Sequence, residues 1–327
     1  MTQTSDDIWV LADDRAGNVA QALGVGEALA ARTGRRVVRK DIAYSRLAAL
    51  PNRLRGASRL GLAEADLAPP WPALVIGAGR RTAPLARWIK RQSIGATRLA
   101  QIMWPGHAGA GSFEMIAVPE HDRLANPPPN VMRLLGAPHR VTPDHLEAAR
   151  AAWAQPLGDL PAPRIALIVG GGTKGKPFTP ALARDLAGAV KALCQELGGS
   201  LMVTTSRRTG AAADDLLAAL PPPDHLFRWD RTDADNPYFG YLAWADVLVV
   251  TGDSVSMVCE ACASGHPVRL FAPPAMTRAK HRRLHQTLYA TGMAAPLGAP
   301  VRLDAEPPRL DPTGQVVEAL LMRLGWA

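Results

Sequence analysis

Apolar residues in this chain come in short runs. Each run ends in a polar or glycine-containing turn and is followed by a stretch of helical spacing. Residues 8–12, IWVLA, predict a strand, residues 13–18 a turn, Val19 to Ala31 a helix ending at Gly34, and residues 36–42 a second strand. Residues 73–79, 98–104, 113–122 and 131–135 predict further strands with polar exits. Residues 137–163 hold Pro138, Pro143, Pro156, Pro161 and Pro163 around one short helix, about 144–154, and read as a junction. The rhythm then restarts, with strands at 165–169, 201–204, 226–229, 247–250 and 268–271. Helices are expected at 180–197, 236–244, 256–263, 276–290 and 316–324. Strand and helix in alternation predict an α/β chain with parallel sheets. The expected domains are 1–142, a proline-rich linker 143–163, a second domain 164–305 and a C-terminal helical segment 306–327.

The most informative stretch is residues 246–270, DVLVVTGDSVSMVCEACASGHPVRL, which reads as strand, polar turn, helix, strand. Parallel sheets bind ligands at the carboxyl ends of their strands. Asp253 or Ser254 can cap the helix, whose free amides favour an anion. Glu260 lies one further turn along from Ser256, where a carboxylate suits a pair of sugar hydroxyls better than a phosphate.

Two more strand exits add to this. GGGTKGK, residues 170–176, is neither a Walker A loop nor a G-x-G-x-x-G fingerprint, since Lys176 is followed by Pro177. It can still cradle phosphate through backbone amides, helped by Lys174 or Lys176, or serve as a hinge loop. TSRRTG, residues 205–210, offers the hydroxyls of Ser206 and Thr209 and the guanidinium forks of Arg207 and Arg208. Three polar exits on one sheet edge outline a nucleotide-diphosphate pocket. In the first domain, Asp14, Asn18 and Gln21 line the first strand's exit, or cap its helix. His121 beside Asp122 is an acid–base pair, a substrate clamp or a solvated loop histidine.

Composition narrows the class. The 327 residues are 47% hydrophobic and 20% charged, as in a globular protein of two ordinary domains. The start of the chain has no basic segment before a long apolar core, so no signal peptide is expected and the cytoplasm is the default. The three cysteines fit a reducing compartment, and the Cys259/Cys262 spacing has no second pair to complete a zinc site, so no metal is expected. A net charge of +8 favours anionic partners, but no basic block with interleaved aromatics appears, so nucleic acid is not expected. Residues 44–63 interleave leucines with Arg46, Arg53, Arg55 and Arg59, a basic amphipathic segment broken by Pro51 and Gly56. It reads either as a solvated surface or as a contact with an anionic membrane.

Two Rossmann-like halves with a proline-rich junction resemble the GT-B glycosyltransferases, including MurG-type enzymes. More closely, DDRAGNVAQALGVGEAL, VPEHD, VGGGTKGK, TTSRRTG and TGDSVSMVCEACASGHPV look like the mitochondrial fission ELM family, over about residues 8–290. The resemblance implies parallel sheets facing each other across a cleft and a C-terminal helix that returns to the first domain. It implies donor-diphosphate contacts from Gly171, Gly172, Thr173, Ser206, Arg207 and Arg208. Asp253, Ser254, Ser256 and Met257 would hold phosphate or base, and Glu260 the ribose. The turn from Asp14 to Gln21 would face the acceptor. The glycine-rich first loop of MurG-type enzymes is absent, which leaves His121 and Asp14 as candidates for the catalytic base.

The expected activity is metal-independent sugar transfer from a nucleoside-diphosphate sugar, the co-substrate, to a glycan or lipid-linked acceptor. The alternatives are a nucleotide-sugar 2-epimerase and a non-catalytic membrane-associated adaptor. The expected location is cytoplasmic, peripheral on the inner face of the membrane.

Overall fold

The computed structural model describes residues 3–173, 175–229, 235–304 and 306–326. The chain forms two compact units: residues 1–140 together with 311–327, and residues 141–310.

The first unit contains β1 (Ile8–Ala12), α1 (Ala16–Thr33), β2 (Val37–Asp41), β3 (Ala43–Tyr44), α2 (Asn52–Arg55) and β4 (Leu62–Glu64). It continues with β5 (Leu74–Ala78), α3 (Ala83–Gln92), β6 (Arg98–Ile102), β7 (Met115–Pro119) and β8 (Val131–Leu134). Its main sheet is parallel, in the order β2-β1-β5-β6-β7-β8. All of β1 and β5 is buried, which explains their unbroken apolar runs: helices cover both faces. Alternation along β1 splits its side chains. Ile8 and Val10 face Val25 and Leu29 of α1, while Trp9 and Leu11 join Leu85 and Ile89 of α3. α1 ends where Gly34 takes φ 68°, a left-handed cap that suits glycine.

The C-terminal helix, Pro312–Leu324, belongs to this unit. Val316, Val317, Leu320 and Leu321 lie in the α1-side core. Thr313 Oγ1 accepts from the His139 amide and donates to the His139 carbonyl, both at 2.8 Å, and Arg32 pairs with Glu318.

The second unit contains α4 (Pro143–Ala152), α5 (Ala154–Leu157), β9 (Arg164–Ile168), α6 (Pro180–Leu197), β10 (Ser200–Thr204), α7 (Ala212–Ala219) and β11 (His225–Phe227). It continues with α8 (Tyr238–Trp244), β12 (Val247–Thr251), α9 (Val255–Ser264), β13 (Val268–Phe271), α10 (Ala279–Ala290) and β14 (Ala295–Pro296). The sheet is parallel, in the order β11-β10-β9-β12-β13-β14. The stretch read as a linker is structured as part of this unit. His145 stacks on Phe239 at 4.4 Å, Arg150 donates to the Ala243 carbonyl, and Trp244 Nε1 donates to the Arg150 carbonyl.

Each sheet reverses its direction of winding once, between β1 and β5 in the first unit and between β9 and β12 in the second. Loops diverge at such a point and leave a crevice at the strand carboxyl ends.

Residues 44–63 are not one amphipathic helix. β3 pairs antiparallel with β4, and one turn of 3-10 helix and the single-turn α2 lie between them. Pro51 precedes α2, and Gly56, at φ 58°, ends it. Among the described residues, no helix is long and apolar enough to cross a membrane.

Candidate functional site

The loops leaving β9, β10 and β12 are neighbours because their strands are adjacent. The Gly170 amide donates to Thr251 Oγ1 at 2.8 Å, which ties the β9 exit to the β12 exit. Ser206 Oγ and Thr209 Oγ1 both donate to the Gly170 carbonyl, which ties in the β10 exit. The glycines are needed for this approach. A Cβ on Gly170 would sit 2.7 Å from the Asp253 carboxylate, and one on Gly171, at φ 135°, would sit 2.1 Å from the Arg208 carbonyl.

The run is therefore a brace. Three of its amides are already engaged: Gly170 with the Thr251 hydroxyl, Gly172 with the Arg208 carbonyl at 3.4 Å, and Thr173 with the Lys176 carbonyl. These bonds leave fewer of the run's backbone amides for a phosphate than its glycine content suggests. Lys176 is held by the Pro274 carbonyl at 2.9 Å, and Lys174 lies outside the described residues.

Side chains and the first turn of α9 make up the rest of these exits. Arg207 is exposed. Arg208 places Nη1 2.8 Å from Asp253 and 3.3 Å from the Gly172 carbonyl. Burial pushes the Asp253 carboxyl above its ordinary value, while Arg208, the Thr251 hydroxyl and the Gly171 amide pull it down. A carboxylate repels phosphate, so Asp253 is suited to holding Arg208 and unsuited to holding the anion itself. The buried Thr173 Oγ1 has no hydrogen-bond partner among the described residues.

α9 starts at this point. Ser254 Oγ caps it by accepting from the Met257 amide at 3.5 Å, and Ser256 and Met257 are half-buried in its first turn. Glu260 stands about 8 Å further along the axis. It is buried and accepts a hydrogen bond from the Tyr238 hydroxyl. Burial, together with the charge of Glu260, raises the Tyr238 hydroxyl well above the ordinary phenol range.

The first unit's switch point is organised by Arg81, at the exit of β5. Its guanidinium pairs with Asp13 at 2.8 Å and with Asp14. The Tyr44 hydroxyl donates to the Arg81 carbonyl at 3.0 Å, and Arg55 Nη1 donates there at 3.2 Å. The hydrogen bond from Arg81 holds the Asp14 carboxyl below its ordinary range, which makes it a weak proton acceptor at neutral pH. Asn18 packs over Gly79, whose φ of 73° opens the β5 exit, and Gln21 is buried in α1. His121 is buried in a single 3-10 turn after β7. β1 and β7 are three strand spacings apart, about 14 Å, so Asp14 and His121 do not meet on one proton. Among the described residues, no group of three or more His, Cys, Asp or Glu could hold a metal ion.

Residues 16–324 match the family described as Mitochondrial fission ELM1. The chain belongs to the mitochondrial fission ELM1 family. Mitochondrial fission protein ELM1 of Arabidopsis thaliana is 29% identical over 221 residues, covering 60% of this chain and 51% of that protein. The chain thus spans about half the length of this ELM1 relative. Among solved structures, the UDP-GlcNAc 2-epimerase from Methanocaldococcus jannaschii is similar with a TM-score of 0.54 at 9% identity, over 98% of this chain and 100% of that one. The glycosyltransferase SnogD from Streptomyces nogalater gives a TM-score of 0.50 at 12% identity, over 98% and 95%. At such identities the likeness is one of fold: this ELM1-family chain carries two Rossmann-like units of the GT-B type.

Sequence reasoning missed Arg81, Asp13, Thr251 and Tyr238 as parts of these sites. Arg81 had a signal, an arginine directly after a strand-exit glycine turn. Tyr238 had none, since only the packing of α8 beside α9 brings it to Glu260.

Proposed function

We propose that the second unit binds a nucleoside-diphosphate sugar and that the protein transfers its sugar to an acceptor. The observation behind this reading is that adjoining strand exits of one sheet carry Arg207, Arg208 and a capped helix start, with the Glu260 carboxylate about one and a half turns along that helix. Such an array suits a diphosphate followed by a ribose diol. Arg207, Arg208 and the first-turn amides of α9 would take the charge that develops on the departing diphosphate. Glu260 would accept from the ribose hydroxyls while still held by Tyr238. On the first unit, the polar exits of β1 and β5, with Asn18, are the candidate acceptor surface. His121 is a better candidate for the base than Asp14, whose proton affinity Arg81 lowers.

Thermal-shift and calorimetric titration with UDP, GDP, ADP and CMP, free and sugar-linked, test this. A ligand of the folded state raises the melting point by an amount that grows with its affinity and concentration. Failure of every nucleotide to bind, or binding unaffected by Arg208→Ala and Glu260→Ala together, would defeat the reading.

A second reading, nucleotide-sugar 2-epimerisation, is favoured by the fold likeness to a UDP-GlcNAc 2-epimerase. Product analysis with donor alone separates the two, because an epimerase turns over without acceptor.

A further inference from the structure

We propose that the knob formed by residues 45–61 of the first unit is a docking surface for anionic lipid bilayers. This inference stands whatever the switch points bind.

Three of the exposed large apolar side chains fall in this one short segment: Leu47 at 50%, Leu54 at 62% and Leu60 at 40% exposure. The segment folds back on itself. The Ser45 amide donates to the Gly61 carbonyl at 3.0 Å, and Gly61 packs so closely on Leu47 and Ala48 that a Cβ would meet the Ala48 nitrogen at 2.6 Å. Arg55 Nε, next to Leu54, donates to the Leu60 carbonyl at 3.0 Å.

The knob is a built feature. Asn52 Nδ2 donates to the carbonyls of Arg80 and Pro105, at 2.8 and 2.9 Å. Arg80 donates back to the carbonyls of Leu50 and Ala49, at 3.0 and 2.9 Å. Buried Arg55 reaches the Arg81 carbonyl. Two of the segment's polar side chains, Asn52 and Arg55, thus face inward while its leucines face water. Apolar groups held out by so many internal bonds point to a partner surface.

Charge identifies that surface. Residues 42–63 contain Arg46, Arg53, Arg55 and Arg59 and no Asp or Glu. Arg46, Arg53 and Arg59 are exposed, and Arg59 lies over the Trp88 ring at 5.3 Å. Cations ringing a few inserted apolar side chains match the anionic headgroup layer and the acyl boundary beneath it. Nucleic acid would satisfy the arginines but leave the leucines in water.

The test is co-sedimentation of the full chain with vesicles of phosphatidylcholine alone and of phosphatidylcholine mixed with phosphatidylglycerol. Wild type is expected to pellet with the mixed vesicles, less so as salt rises, and not with the neutral ones. Arg46→Gln with Arg53→Gln should weaken the association by on the order of tenfold. Leu47→Ser with Leu54→Ser should weaken it at unchanged charge. Neither pair carries an internal bond that holds the knob, so both variants should melt like wild type. Absence of pelleting, equal pelleting with neutral vesicles, or a leucine variant that pellets as wild type would overturn the proposal. So would retention of both variants' parent on random-sequence RNA with no vesicle binding, which would assign the patch to nucleic acid.

Discussion

Arg208 Nη1 lies 2.8 Å from a carboxylate oxygen of Asp253, whose side chain is fully shielded from solvent while that of Arg208 stays 38% exposed. The arginine is therefore the movable partner. Its guanidinium has room to turn, and Asp253 holds it in place.

This pair sets a pH dependence. Burial raises Asp253 above its ordinary 3.8, so between 3.8 and the raised value the folded state holds more protons than the unfolded one. Stability then falls as pH rises through that window. Arg208→Ala removes a downward pull and extends the window upward. The variant should lose about 1–3 kcal/mol at neutral pH and less in acid. Adding Asp253→Asn should return most of the loss, as urea unfolding across pH would show.

Gly171→Ala should harm the fold and the crevice together. Its φ of 135° and the 2.1 Å approach to the Arg208 carbonyl leave no room for a methyl group. Backbone strain alone should cost about 1–3 kcal/mol. The same substitution at Gly188, in α6 with nothing near it, should be harmless or slightly stabilising. Paired melting curves check both.

Glu260 carries a selectivity prediction. Wild type should bind a ribonucleoside diphosphate at least about tenfold more tightly than its 2′-deoxy analogue, because a buried carboxylate left without its diol is penalised. Glu260→Gln should shrink that ratio toward unity, as read by calorimetry. Glu260→Ala should also destabilise the fold by about 1–3 kcal/mol, since the Tyr238 hydroxyl loses its acceptor.

Asp14 behaves in the opposite sense to Asp253. Its carboxyl is held below 3.8 by Arg81, so its contribution is present above 3.8 and is lost as pH falls through the lowered folded value. The side chain is 74% exposed, so Asp14→Asn should cost under about 1 kcal/mol at neutral pH and nothing in strong acid. Any pH–rate profile should keep its acidic limb in this variant.

Much of the fold could be read from local pattern. Runs such as Ile8–Ala12 and Val247–Thr251 are apolar on both strand faces, which marks parallel strands, and the αL glycines Gly34 and Gly265 close α1 and α9 as expected. The site was legible as three loops but not as a network. Whether the Gly170 and Gly172 amides are free depends on strand order, which brings Thr251 and Arg208 against them. Arg81 gains its role in the same way, because β5 lies beside β1 and so beside Asp13. The 44–63 segment is broken where the sequence places the breaks. Its leucine–arginine rhythm is real, but Pro51 and Gly56 spread it over a hairpin and two turns.

The helix Pro312–Leu324 supplies Val316, Val317, Leu320 and Leu321 to a core whose other members lie before residue 141. The order of maturation on the ribosome is therefore inverted. The later-encoded unit, residues 141–310, is complete in the nascent chain while the earlier one still waits for its last helix. Truncation before Pro312 would leave residues 141–310 intact and open the apolar flank of α1 to chaperones.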